Sequence, residues 1–294
     1  MQLALALGGE IVSADSMQIY RGLDVGTAKV TAEEARGVPH HCVDIRTPDQ
    51  PFSVADYVAL AGQAIREITA RGRLPIVVGG TGLYVESLLG GVCFAPEKAD
   101  PALREALAAE WDARGAQAMY AELQRLDPDA AAAIHPNNRV RVLRALALYR
   151  ATGRTMSAQK AASLPAEKPY RTLLLGLDTA DRAVLYARID RRVDRMLAAG
   201  LAEEARQVYA HRSEYRTAAQ AIGYKEFFPY FEGAQSLAAC VQACQQASRN
   251  YAKRQLTWFR RMKEIVWLDA GAADLQPRAA ALLQEFLKGE QPHA

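Results

Sequence analysis

Asp15 closes a short β-rich run, Glu10-Ile11-Val12-Ser13-Ala14, and is followed by Ser16. Ligands of open α/β sheets bind beyond the carboxyl ends of the strands, so Asp15 is placed to reach a substrate; an N-cap for the next segment is the plainer use of the same residue. Gly79-Gly80-Thr81-Gly82 follows an apolar run and opens into a helical pattern. Such a turn lets backbone approach a ligand closely, next to helix N–H groups that attract anions, with the Thr81 hydroxyl at hand. It also serves as a simple tight turn.

Two stretches lack any acidic residue. One, from Ala130 to Ala166, carries Arg139, Arg141, Arg144, Arg150, Arg154 and Lys160. The other carries Arg249, Lys253, Arg254, Arg260, Arg261 and Lys263, interleaved with Tyr251, Trp258 and Phe259. On an ideal helix Arg249, Lys253 and Arg260 fall within about 40° of one another. A stripe of this kind can track a phosphate backbone while aromatics stack on splayed bases; a solvated helix face is the alternative. With 36 Lys+Arg against 33 Asp+Glu the net charge is only +3, so the positive charge is segregated and points towards RNA.

Other candidates carry less. Gly22 to Lys29 superficially resembles a phosphate-binding loop, yet no Gly-Lys pair followed by Ser or Thr occurs in the chain. His40, His41 and His135 have no partners at metal or triad spacing. Cys42, Cys93, Cys240 and Cys244 lack the further ligands of a zinc site and read as reduced, inert thiols. No residue is assigned as a metal ligand. No apolar run reaches the roughly 20 residues of a membrane helix, and the short apolar start lacks the basic region of a signal peptide, so a cytoplasmic protein is expected.

The elements that position these residues alternate. Glu10–Ala14, Cys42–Ile45, Leu74–Val78, Arg171–Leu177 and Ile265–Leu268 read as strands. A helix begins at Ser53 with Asp56 at capping-box spacing. The Leu74–Val78 run suits a parallel strand covered on both faces. From Asp100 to about Tyr149 the chain is Ala-rich and helical, broken at Asp127-Pro128 and His135-Pro136. Further helices span about Asp181–Ala199 and Ser236–Lys263. An α/β core of 1–96 and 169–294 with a helical insert of 97–168 is expected.

Several motifs now coincide in order. Gly9-Glu10-Ile11-Val12-Ser13-Ala14-Asp15-Ser16-Met17-Gln18-Ile19-Tyr20-Arg21-Gly22, then Asp24 to Lys29, Val77 to Tyr84, His135-Pro136-Asn137-Asn138 with Arg144-Ala145-Leu146, Ala221 to Glu226, and Tyr251 to Arg260 together resemble the bacterial tRNA dimethylallyltransferase (tRNA isopentenyltransferase) family over almost the whole chain. The resemblance implies a P-loop-kinase-like parallel sheet core with a helical insert and a helical C-terminal region. It implies transfer of a dimethylallyl group from dimethylallyl diphosphate, accompanied by Mg²⁺, to N6 of the adenine at position 37, next to the anticodon, in tRNAs reading codons that begin with U. A monomer acting on the tRNA anticodon stem-loop is expected.

By motif position the resemblance makes Asp15 and Thr81 catalytic, with Asp15 orienting the amine or taking its proton. Asp15, Ser16, Met17, Gln18, Thr81, Arg104, Arg141, Arg144, Gln220, Gly223, Tyr224, Lys225, Lys253, Arg254, Gln255, Thr257, Trp258 and Arg260 would contact tRNA. Some family members carry Arg where Gln220 stands. The family also opens with a strand and a Walker A loop, whereas this sequence starts in the following helix at Leu3-Ala4-Leu5-Ala6-Leu7. No diphosphate-binding residue is therefore assigned. The expectation is a native protein longer by about 20–30 residues, with Met1 a misplaced start, and a chain that is a poor catalyst as it stands. Competing expectations are an adenylate isopentenyltransferase, against which the basic insert and the Trp258 helix argue, and an RNA-binding remnant without catalysis.

Overall fold

The structure is a computed structural model and describes residues 1–94 and 100–289. It divides into two compact units, Gly90–Pro169 and the remainder. The boundary expected between 96 and 97 lies outside the described residues.

The larger unit begins with α1 (Gln2–Leu7), closed by Gly8 in a left-handed conformation, and β1 (Glu10–Ser13). Then come α2 (Ala32–Ala35), β2 (His40–His41), α3 (Val54–Ala70), β3 (Pro75–Val78) and α4 (Gly82–Leu89). The smaller unit holds α5 (Pro101–Leu126), α6 (Pro128–Ala132), α7 (Arg139–Thr152) and α8 (Met156–Ser163). The chain then returns through β4 (Leu174–Asp178), α9 (Arg182–Ala198) and α10 (Leu201–Ala210). Single 3₁₀ turns at Ala218–Gln220 and Lys225–Phe227 lead into α11 (Phe228–Phe231), α12 (Leu237–Phe259), β5 (Ile265–Asp269) and α13 (Leu275–Lys288).

Local chemistry explains most boundaries. Ser53 and Asp56 form a full capping box at the start of α3, and Thr31 with Glu34 does the same for α2. Pro128 starts α6 one residue after its cap, Asp127, whose side chain accepts from Ala130 N–H. Gly115 breaks α5 into two helical segments with a φ of 79°, a kink that the Ala-rich pattern concealed.

All strand pairs are parallel. β1 lies between β2 and β3, with Ile11 opposite His40 and Ile76, and β4 pairs with β5 in a separate sheet. Two sequence expectations are corrected. Cys42–Ile45 is not a strand: the pairing is confined to His40–His41, because Cys42 and Asp44 adopt φ values of 61° and 55°. The Pro75–Val78 run is not covered on both faces. β3 lies at the end of its sheet and Val78 is half exposed, as is Leu177 on β4.

Aromatic packing supports the strand ends. Tyr57 of α3 stacks on Tyr84 of α4 with ring centroids 4.3 Å apart, over Val12 and Ala14. A second cluster gathers Tyr20, Tyr224, Phe227, Leu201 and Val208 with Cys240 and Cys244. Burial raises the Cys42 thiol to about 11 and the Cys244 thiol to about 12, in keeping with inert packing thiols.

Glu10, 3% exposed at the start of β1, is the main charged group under the sheet. His41 Nε2 lies 2.7 Å from its carboxylate, Arg71 donates at 2.8 Å, and Arg73 stands 3.6 Å away. Burial pulls its pKa up, and the hydrogen bonds and charges of Arg71 and His41 outweigh it, so the carboxyl lies below its ordinary value. A depressed carboxyl contributes stability above its unfolded pKa and loses it as pH falls through the folded one. Glu10→Gln is predicted to cost about 1–3 kcal/mol at neutral pH, with the difference from wild type shrinking below about pH 4.5. Urea unfolding of both proteins across pH checks this; a cost that does not vary with pH would contradict it.

Candidate active site at the strand ends

β1 and β3 finish side by side, and their extensions are tied by backbone alone. Ala14 N–H donates to Val78 C=O at 2.8 Å, and Thr81 N–H donates to Ala14 C=O at 3.1 Å. The approach requires glycine: a Cβ on Gly79 would stand 2.4 Å from the Ala14 carbonyl carbon. Thr81 Oγ1 then accepts from Ser16 N–H at 3.1 Å. The Thr81 hydroxyl thus holds the backbone that follows Asp15.

Asp15 is fixed at one oxygen. Its Oδ1 accepts from Met17 N–H at 2.7 Å and Gln18 N–H at 3.3 Å, while Oδ2 has no hydrogen-bond partner among the described residues. The plainer reading of Asp15 is what the geometry displays: one oxygen caps the next turn, and the other is left open. Three phenols feel its charge. Burial, and then nearby charges that include Asp15, raise the pKa values of Tyr84 and Tyr224; burial and Asp15 raise that of Tyr251 against hydrogen bonds to Thr81 and Gln255. Raised in this way, all three phenols stay neutral.

Gln18 couples this turn to the next loop. It accepts from Ser13 Oγ at 2.9 Å and donates to Thr27 C=O at 3.2 Å. The same loop is gripped from α10 by Glu204, whose carboxylate accepts from the N–H groups of Asp24, Val25 and Gly26 at 2.7, 2.9 and 2.8 Å and from Tyr224 O–H at 2.7 Å. Gly26 is needed because a Cβ there would stand 2.6 Å from the Tyr224 ring. Glu204 was not legible as a site residue. In sequence it is one of two acids in the first turn of a helix, a common dipole-matching pattern.

α12 lies across the strand ends. Gln255 donates to Gly80 C=O at 3.0 Å. A Cβ on Gly82 would stand 2.4 Å from the Trp258 indole. Trp258 is therefore packed against the turn as a strut, and its buried Nε1 has no partner among the described residues. This differs from the expected stacking surface for bases. At the far end Arg260 donates to Asp178, at the end of β4, at 2.6 Å.

The expected phosphate stripe on α12 is largely spent inside the protein. Arg249 pairs with Asp190 of α9 at 2.5 Å and Arg260 with Asp178. Arg254 lies over the Tyr251 ring, and Thr257 Oγ1 donates to the Lys253 carbonyl of its own helix. Lys253 is exposed. Gln220 and Lys225 are exposed, whereas Gly223 and Tyr224 are buried.

The insert shows the same economy. Arg150 is held by Glu110 at 2.6 Å and Glu122 at 3.0 Å, and Arg139 by Asp112 at 2.8 Å. Arg150 and Arg114 hold Glu110 down to about 2. The acid-free stretch finds its acids on α5, so charge is less segregated than the sequence suggested. Arg104, Arg141 and Arg144 are exposed on this unit, and Arg141 has no side-chain partner among the described residues. Among the described residues no three His, Cys, Asp or Glu side chains gather as a metal cluster, and no helix is long and apolar enough to cross a membrane.

A family described as IPP transferase matches residues 18–262. The chain is 48% identical over 269 residues to the tRNA dimethylallyltransferase of Bacillus subtilis, covering 92% of this chain and 85% of that one. Its fold matches the crystal structure of the full-length tRNA isopentenylpyrophosphate transferase from Bacillus halodurans, with a TM-score of 0.68 at 44% identity over 98% of this chain and 90% of that one. It also matches a eukaryotic dimethylallyltransferase from crystallographic snapshots of that enzyme acting on tRNA, with a TM-score of 0.83 at 28% identity over 100% of this chain and 76% of that one.

Glu204 yields a direct test of the site's scaffolding. Gln at this position turns an amide NH₂ towards donors that need an acceptor. Glu204→Gln is predicted to lower unfolding stability by about 1–3 kcal/mol, read from the urea midpoint; an unchanged midpoint would contradict the clamp.

Proposed function

The chain belongs to the IPP transferase family, and from that premise we propose that it transfers a dimethylallyl group from dimethylallyl diphosphate to tRNA, on N6 of the adenosine at position 37 in tRNAs reading codons that begin with U. The observation that carries the reading is Asp15, locked at one carboxylate oxygen and unpartnered at the other.

The exocyclic amine of adenine is a weak nucleophile because its lone pair is delocalised into the ring. As the N6–carbon bond forms and the carbon–oxygen bond to diphosphate breaks, the nitrogen becomes acidic. A carboxylate within hydrogen-bond reach orients the N–H beforehand and takes the proton; diphosphate leaves with the electron pair. Fixing Oδ1 on two backbone N–H groups removes the freedom that Asp15 would otherwise lose at each turnover.

Such an adenine must leave the anticodon-loop stack to reach a strand-end site. Arg104, Arg141 and Arg144 of the insert and Lys253 of α12 are assigned to RNA phosphates by motif and exposure. Ser16, Met17, Gln18 and Thr81 belong to the turns that shape the site, and Gln255 and Trp258 pack on them from α12. Gly223 and Tyr224, buried against Gly26, act through that loop. Mg²⁺ enters as the ion that accompanies the diphosphate, as the resemblance implies, and no step is assigned to it. A monomer working in the cytoplasm completes the reading.

The test incubates this chain with labelled dimethylallyl diphosphate, Mg²⁺ and an unmodified tRNA transcript bearing adenosine at position 37. Label on N6 of that adenosine, absent when the position is guanosine and counted even where turnover is slow, is the expected result. Label accepted by free AMP instead, or by neither, would overturn the reading. Asp15→Asn is predicted to lower kcat by about 10²–10⁴ with little change in tRNA affinity.

A further inference from the structure

α9 carries an arginine face that neither the motifs nor the proposed chemistry uses. Arg188, Arg191, Arg192 and Arg195 follow one another at i, i+3, i+4 and i+7, and all four are exposed. On an ideal helix they share an arc of about 100°. The two acids of this helix, Asp190 and Asp194, point roughly 110–150° away from the centre of that arc. They are also occupied: Arg249 of α12 holds Asp190, and Gln245 donates to Asp194 at 3.0 Å. The pairing that silences Arg249 therefore takes up one of the two counter-charges of α9, while the other, Asp194, lies off the centre of the arc beside a neutral amide.

We propose that this α9 stripe is a docking surface for the phosphate backbone of the RNA substrate, which deepens and rests on the reading of a tRNA-modifying enzyme. The face is about 10 Å long, matching roughly three phosphates along one strand of a duplex. Arginine forks suit phosphate oxygens. Antiparallel packing of α9 on α12, fixed by the Asp190–Arg249 and Asp194–Gln245 contacts, starts α9 beside Asp178 and Arg260 at the strand ends. The stripe thus leads away from the site that holds Asp15, where the stem of a bound RNA would extend from a reacting loop nucleotide. Asp190 and Asp194 interrupt the arginines, so no acid-free run marks the stripe in the sequence.

The double variant Arg191→Gln/Arg195→Gln tests this with the full chain and an unmodified tRNA transcript. The slope of log K against log salt is expected to flatten by roughly 1.4–1.8, with a higher KM for tRNA and unchanged kcat at saturating tRNA. Arg191→Lys/Arg195→Lys keeps the charge and is expected to restore the slope. Should the double Gln variant not fold, each single Gln variant is expected to give about half the flattening. An unchanged slope in variants that still transfer the prenyl group would overturn the stripe while leaving the proposed function intact. Loss of binding to phosphatidylglycerol vesicles with tRNA binding unchanged would assign the face to a lipid surface and overturn it equally. A wild-type chain that neither binds nor modifies tRNA would instead defeat the proposed function.

Discussion

Two parallel strands that end together, joined by hydrogen bonds which no side chain mediates, hold the rest of the site. The Ala14–Val78 and Thr81–Ala14 bonds carry the β1–β3 ladder past the last paired residues. Backbone can come this close only because Gly79 offers no Cβ. Once the ends are fixed, Thr81 Oγ1 reaches Ser16 N–H, and Asp15 Oδ1 takes the N–H groups of Met17 and Gln18. Its orientation follows from strand geometry and owes little to packing of its own side chain.

Everything around that junction limits its motion. Stacked Tyr57 and Tyr84 support it from below, and Gln255 and Trp258 close over it from α12. Glu204 gathers three consecutive N–H groups and one phenol on a single carboxylate, so the 24–28 loop and Tyr224 move together or not at all. Gln18 passes that constraint back to the Asp15 turn. A base that must accept a proton from a weak nucleophile gains from such preorganisation, since its alignment is set before substrate arrives.

Features written in local chemistry were legible in the sequence. The capping box at Ser53, the breaks at Pro128 and Pro136, and the strand ending just before Asp15 all follow from residue type and near spacing. Properties set by distant partners were not. Arg249 and Arg260 look like phosphate ligands along the chain, yet Asp190 and Asp178 arrive from other elements to neutralise them. Glu204 looks like an ordinary first-turn acid until the loop at Gly26 folds onto it. Cys42–Ile45 has strand composition, and the left-handed φ of Cys42 and Asp44 is a tertiary demand that composition does not reveal.

The central claim is that Oδ2 of Asp15 meets the reacting nitrogen. A crystal structure of this protein bound to an anticodon stem-loop with adenosine at position 37 tests it most directly. The account predicts N6 within about 2.6–3.2 Å of Asp15 Oδ2, with Oδ1 still held by Met17 and Gln18 N–H. An adenine seated in the site with N6 against another group, and Asp15 out of reach, would contradict it.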